Sequence, residues 1–160
     1  SDPALIAETI ALPDEAYLAE LVETVDVDGI HAARHFVKST LAARLAERLA
    51  ARYGELAGEG PYSKHPRAMA RRSLRNACLS YLMETPLGES LAQRQLSDSD
   101  NMTDTLAALR GLVFARGPSA GEALSAFDAA MRHYRNEAAS LYLEALDRYH
   151  AAKAEASTPK

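Results

Sequence analysis

The sequence is short of nearly everything that would mark a secreted, membrane-bound or nucleic-acid-binding protein. It has one cysteine, Cys78, so no disulfide can close within the chain and no oxidising compartment is called for. No apolar run approaches the roughly 20 residues that cross a bilayer, so no membrane partner is expected. Ser1-Asp2-Pro3 has neither the basic region nor the apolar stretch of a signal peptide, which leaves a cytoplasmic location as the expectation. The formal net charge of −4 lacks the basic surplus that draws a protein to nucleic acid, so no nucleic-acid partner is expected either. β-Branched residues are few and no window alternates apolar with polar, which excludes a recognisable strand. The chain starts without Met and closes on Ser157-Thr158-Pro159-Lys160, and it reads as a piece of something longer.

What is present is helix. The 160 residues are 48% hydrophobic and 25% charged, too apolar for a disordered chain and enough for one domain with a core. Ala, Leu, Glu and Arg are plentiful, and apolar positions recur every three or four residues. The expected fold class is all-α, an antiparallel helical array of the α-solenoid or bundle kind with about seven helices, since short connections imply antiparallel neighbours.

Punctuation divides the array. Asp2-Pro3 reads as an N-cap with proline in the first turn, opening a short helix that stops near Leu12-Pro13. A second short helix covers about 14–24. Asp26 and Asp28 open a long helix whose stripe is Ile30, Ala33, Val37, Leu41, Leu45, Leu49, Tyr53 and Leu56, and Gly58-Glu59-Gly60-Pro61 breaks it. The next helix follows Ser63 and turns Leu74, Cys78, Tyr81 and Leu82 to a core. Thr85-Pro86 repeats the cap-then-proline device for a helix ending near Leu96. Ser97 to Asp100 is a polar turn, and Asn101 or its neighbour caps a helix to about Ala115, closed by Gly117-Pro118. Ser119-Ala120-Gly121-Glu122 has the form of a capping box.

The final helix differs in character. Leu124, Phe127, Met131, Tyr134, Ala138, Leu141 and Ala145 follow at alternating spacings of 3 and 4, a heptad-like seam. Single-chain bundles use such a seam to pack on their own helices, and self-associating helices use it between copies. Leu124, Phe127, Met131, Tyr134 and Leu141 are therefore the candidate interface residues. Beyond Tyr149, Ala151 to Ala156 has high helix propensity and little to bury, so fraying is expected there.

Two strings carry a family resemblance: Leu74-Arg75-Asn76-Ala77-Cys78-Leu79, and Asn101-Met102-Thr103-Asp104 followed by Leu106-Ala107-Ala108-Leu109. With Asp2-Pro3-Ala4-Leu5 and the Tyr53 helix, they resemble the C-terminal helical domain of the aminopeptidase N family, the M1 zinc metallopeptidases. The resemblance runs from the first residue to about residue 116. It implies an α-helical domain that covers a zinc catalytic domain and helps enclose its cavity. The family's zinc motif, His-Glu-x-x-His with a further Glu, and its Gly-x-Met-Glu-Asn motif do not occur in this sequence. No catalytic residue and no cofactor therefore carry over, the parent family's zinc included. Relatives continue with a Trp-containing stretch and further helices, whereas this chain has no Trp. The division expected is one helical domain over 1–160. Residues 1–118 follow the family, and 119–160 form a heptad helix and tail that read as a replaced or re-surfaced end, natural or engineered.

Three constellations of polar residues stand out. Asp28, His31 and His35 share a helix face, and Asp-x-x-His-x-x-x-His supplies three metal-ligand types, which a symmetric dimer could turn into a tetrahedral zinc site. The plainer reading is a helix cap and two part-exposed histidines, because three ligands from one helix rarely converge. Lys64, Arg67, Arg71, Arg72 and Arg75 form a basic stretch with no acid inside it. It reads as a solvated face paired with Glu55, Glu59 or Asp104, or with a missing domain, ahead of any phosphate-binding role. Cys78 sits mid-helix in an apolar pattern, which suits a buried thiol and not a nucleophile. No spacing among Ser73, Ser80, His65 and His133 implies a nucleophile–base pair.

The sequence thus points to a non-catalytic helical scaffold module, its partner the rest of an aminopeptidase chain. The alternative is a protein-interaction module using the final helix, its partner a second copy or another protein.

Overall fold

The computed structural model describes the backbone of residues 2–58, 60, 62–115 and 119–156, and the side chains of these save 134, 137, 138, 149 and 151–156. Seven helices and no strand occur among the described residues: α1 (Pro3–Ile10), α2 (Glu15–Glu20), α3 (Val27–Glu55), α4 (Pro66–Leu82), α5 (Gly88–Asp98), α6 (Met102–Ala115) and α7 (Ala120–Ala156). The architecture is all-α, a packed helical array. Two compact units make it up, Ser1–Ala123 and Leu124–Lys160.

In the first unit α4 is the hub, because it packs against α1, α3, α5 and α6. Its apolar face explains why: Leu74, Cys78, Leu79, Tyr81 and Leu82 are all buried, at the three- and four-residue spacing of one helical stripe. Ala42 and Tyr53 of α3 and Leu56 just past its end are buried as well, as are Ala92 of α5 and Ala108, Leu109 and Leu112 of α6. The stripe expected on α3 holds only over its second half. Tyr53 and Leu56 are buried, Leu41, Leu45 and Leu49 are half-buried, and Ala33 and Val37 are exposed. Between Leu41, Leu45 and Leu49 on one side and Ile10 to Leu12 on the other lies an apolar hollow of about 260 Å³.

Local chemistry sets the helix ends. The Asp2 carboxylate accepts from Ala4 N at 3.0 Å with Pro3 in the first turn, as the sequence predicts. Asp14 accepts from Tyr17 N at 2.7 Å, and α2 stops at Glu20, short of the expected 24. Asp26 caps α3 by accepting from Gly29 N at 2.9 Å, while Asp28 stands within the helix's first turn. At the other end of the long helix, Gly60 takes a φ of 96°, which only glycine adopts without strain. Glu59 and Pro61 lie outside the described residues, as do Gly117 and Pro118.

Two capping expectations are corrected. The Thr85 hydroxyl donates back to Leu82 O at 2.7 Å, closing α4, and α5 opens only at Gly88 from an N-cap, Leu87, with no side-chain bond. The Ser119 hydroxyl donates to the Glu89 carboxylate of α5 instead of serving a capping box with Glu122. The physical reasons differ. Thr85 finds the carbonyl at the end of α4 within reach three residues back. Ser119 meets a carboxylate on another helix, a stronger acceptor than a backbone carbonyl.

In the second unit the helical backbone of α7 continues to Ala156, through the run expected to fray. Leu124 and Leu141 are 52% and 60% exposed, whereas Phe127 and Met131 are half-buried. The Tyr134 and Ala138 side chains lie outside the described residues. Asp128 pairs with Arg132 one turn on, and Glu144 with Arg148 at 3.9 Å.

Candidate functional site

The two strings that carried the resemblance meet in space. Asn76, from the first, donates through Nδ2 to Asp104 Oδ1, from the second, at 2.8 Å. Asp104 is 6% exposed, and its other oxygen accepts from Asn101 Nδ2 at 3.0 Å. Asn101 in turn accepts from Asp104 N at 3.0 Å, which caps the start of α6 as expected.

Gln95 of α5 ties this cluster to the rest. At 2% exposure it has no access to water, so each of its polar atoms needs a protein partner. Its Nε2 donates to Asn76 Oδ1 at 2.8 Å and to Asp104 O at 3.0 Å, and its Oε1 accepts from Tyr53 Oη at 2.9 Å. Tyr53 Oη also accepts from an Arg75 guanidinium nitrogen at 3.0 Å, and the guanidinium lies 4.4 Å from the Tyr53 ring centroid. The chain of bonds therefore joins α3, α4, α5 and α6 through named donors and acceptors. Within it, Arg75 Nε alone among the buried side-chain polar atoms described has no partner. Burial pushes the Tyr53 phenol above its ordinary 10.0, and the Arg75 charge pulls the other way.

Elsewhere in the basic stretch, the hydrogen bonds of Arg71 and Arg72 among the described residues go to backbone carbonyls and not to the expected carboxylates. An Arg71 guanidinium nitrogen donates to Ala57 O at 2.8 Å and Glu55 O at 3.3 Å, the backbone carbonyls at the end of α3. Arg72 donates to Ser63 O at 2.9 Å and stacks 4.8 Å from the Tyr62 ring centroid. Carbonyls at a helix C-terminus carry negative potential, so they compete well for arginine. Glu59, the third expected acid, lies outside the described residues.

The histidine pair is brought together as rings but not as ligands. The His31 and His35 rings stack with centroids 6.5 Å apart and planes within 6°. Two nitrogens bound to one tetrahedral zinc at about 2.0–2.1 Å sit roughly 3.3 Å from each other, which these parallel rings do not reach. Each imidazole faces a carboxylate of its own instead. His31 Nδ1 lies 2.8 Å from Glu15 Oε1, and His35 Nδ1 lies 3.6 Å from Glu84 Oε2, which Lys38 shares through Oε1 at 2.9 Å. Among the described residues no group of three or more His, Cys, Asp or Glu could hold a metal ion. The residues present do not fit the zinc of the resembling family, and no chemistry is routed through one.

Cys78 is 1% exposed, and burial raises its thiol pKa, so it lacks the thiolate character of a nucleophile. His65 caps α4, accepting from Arg67 N at 3.3 Å through Nδ1. Sequence reasoning missed Gly88 and Gln95. A Cβ on Gly88 would lie 2.4 Å from Leu82 O and from Met83 Cα, so α5 starts in direct contact with the end of α4. No local pattern signals either residue, because their partners belong to other helices.

A hub helix with buried faces, tied to its neighbours by a shared polar network, defines a helical-repeat module. The family model described as "Domain of unknown function (DUF3458_C) ARM repeats" matches residues 1–148, and the chain belongs to that family. The matched span takes in most of α7. Aminopeptidase N of Escherichia coli (strain K12) is 38% identical over 129 residues, covering 79% of this chain and 15% of that protein. Aminopeptidase N of Caulobacter vibrioides is 35% identical over 134 residues, covering 82% of this chain and 16% of that protein. The chain therefore spans about a sixth of the length of these relatives, corresponding to their C-terminal helical region. Legionella pneumophila aminopeptidase A, in a crystal structure with aspartic acid, superposes with a TM-score of 0.67 at 24% identity. That likeness covers 78% of this chain and 16% of that one, and it shows the shared fold. No helix among the described residues is long and apolar enough to cross a membrane.

Proposed function

We propose that this chain is a non-catalytic scaffold module of an M1 zinc aminopeptidase, packed against the remainder of such an enzyme and helping to enclose its active-site cavity. The observation that carries the reading is the family match over residues 1–148 together with the small share of each aminopeptidase N that the chain represents. The network through Tyr53, Gln95, Asn76 and Asp104 supports it, since a part that shapes a cavity must hold its helices in one arrangement. The same reading puts the protein in the cytoplasm, where the buried thiol of Cys78 stays reduced. The match through most of α7 favours a natural final helix over a redesigned one.

The test has two arms. The chain alone, with excess zinc and an aminoacyl chromogenic substrate, gives no turnover above a His31→Ala/His35→Ala control. Added to Escherichia coli aminopeptidase N lacking the matching segment, it restores activity. Zinc-dependent turnover by the chain alone overturns the non-catalytic reading, and failure to restore activity overturns the scaffold role.

A second reading makes α7 an interaction surface. The exposure of Leu124 and Leu141 favours it, because apolar side chains in a heptad seam are ordinarily covered.

A further inference from the structure

Heptad logic assigns each residue of α7 a position. Leu124, Met131 and position 138 are a residues, and Phe127, position 134 and Leu141 are d residues. Asp128 and Arg135 are e residues, which flank the seam. A parallel pair of such helices sets a against a and d against d, and it brings e residues to the g residues of the other helix. The g residues here are Ala130, Glu137 and Glu144, which would meet Arg135, Tyr142 and Tyr149 in that arrangement. Only an alanine then faces Arg135, and a parallel pair gains no ion pair.

An antiparallel pair behaves differently. With Leu124 of one helix against Leu141 of the other, Phe127 falls opposite position 138, an alanine, and Met131 opposite position 134. A large ring against a methyl group is the alternation that fills a helix interface without voids. In this register Asp128 lies in the gap between the Phe127 and Met131 layers, and Arg135 of the other helix lies in the same gap on the same side. Two-fold symmetry makes the pair twice. Leu124 and Leu141, which form the outer layers, are more than half exposed, so apolar surface stands ready to be covered. Asp128 already holds Arg132 within its own helix, and a carboxylate has capacity for a second guanidinium.

We propose that α7 pairs antiparallel with α7 of a second copy of this chain, in the register that sets Leu124 against Leu141 and Asp128 against Arg135. This rests on the second reading of function above, and it commits that reading to a self-complementary partner. The chemistry recognised is a matching heptad face with opposite charge at its e positions.

Light scattering after size exclusion, over a wide concentration range, is the first measurement. A concentration-dependent dimer is expected, and Leu141→Ser weakens it by more than about tenfold through lost apolar burial. Arg135→Asp, which leaves Asp128 and Arg132 in place, weakens it roughly two- to thirtyfold by losing two exposed ion pairs. The exchange Asp128→Arg/Arg135→Asp recovers the dimer. Cysteine cross-linking fixes direction: Leu124→Cys mixed with Leu141→Cys couples, and neither couples with itself. A monomer at every concentration, or a dimer indifferent to Leu141→Ser, overturns both the proposal and the second reading. A dimer that needs Leu141 but is not rescued by the exchange, or that couples Leu124→Cys to itself, overturns the antiparallel register alone. Helicity by circular dichroism confirms that each variant is folded.

Discussion

Asn76 and Asp104 stand 28 residues apart in sequence and 2.8 Å apart in space, and their contact joins the hub helix to α6. Asp104 accepts from two side-chain amides while buried, so its removal strands two donors at once. Asp104→Ala is expected to cost about 2–4 kcal/mol, as unsatisfied buried donors do. For a chain of this size that lowers Tm by roughly 4–16 °C. Asp104→Asn, which keeps the shape, lies between. Thermal unfolding by circular dichroism decides, and an unchanged Tm for Asp104→Ala removes the network from the list of what holds the fold.

Gly88 makes a different kind of junction. The Cβ of Gly88→Ala would press on the Leu82 carbonyl and the Met83 backbone, neither of which can swing away as a side-chain tip does. The expected loss is about 1–3 kcal/mol from enforced displacement. Chemical denaturation should show a lower midpoint with little change in slope.

Stability should fall in alkali. Burial raises the phenols of Tyr53 and Tyr81 above 10.0 in the folded chain, so the native state holds these protons more tightly than the unfolded state does. Their contribution is complete below pH 10.0 and is lost as pH rises through the folded values. The Cys78 thiol, raised above 9.0, acts in the same direction somewhat earlier. Unfolding midpoints compared at pH 8 and pH 10.5 test this. Tyr81→Phe should flatten the decline, and a steeper one counts against the burial argument.

For the histidine pair the expectation is quiet. His31 is 69% exposed where it meets Glu15, and His35 is 62% exposed. His31→Ala/His35→Ala should change stability by about 0–1 kcal/mol, in the range of exposed pairs. Excess zinc should leave Tm where it is. A rise with zinc that the double variant abolishes would mean that the rings rearrange to chelate.

The helices were largely legible in the sequence because their causes are local. Asp2-Pro3, the buried positions 74, 78, 81 and 82 of α4, and Asn101 at the start of α6 follow from capping and from a 3.6-residue period. Thr85 and Ser119 misled because their hydroxyls had a choice: Thr85 bonds back to the carbonyl that ends α4, and Ser119 bonds to a carboxylate of another helix. The network was out of reach for a related reason. Tyr53 and Gln95 are 42 residues apart, and nothing in either neighbourhood names the other. The resemblance did mark Asn76 and Asp104, as parts of two strings, without showing that the strings touch.

The N-terminal stretch shows how unevenly the array is fastened. The Tyr81 phenol donates to Ile10 O at 2.5 Å and clamps the end of α1 to the hub. Just beyond it, α2 has no buried residue, and the side-chain bonds that tie it and the turn before it to α3 lie at the surface: His31 with Glu15, and Arg34 Nε to Pro13 O at 2.7 Å. Local opening follows buried area and protected bonds, so the segment from Ala11 to Asp26 should exchange its amide hydrogens, and admit a protease, well before α1 or α4 does. A nick there would leave α1 seated on the hub helix, so the cut chain would keep its shape with its ends still held.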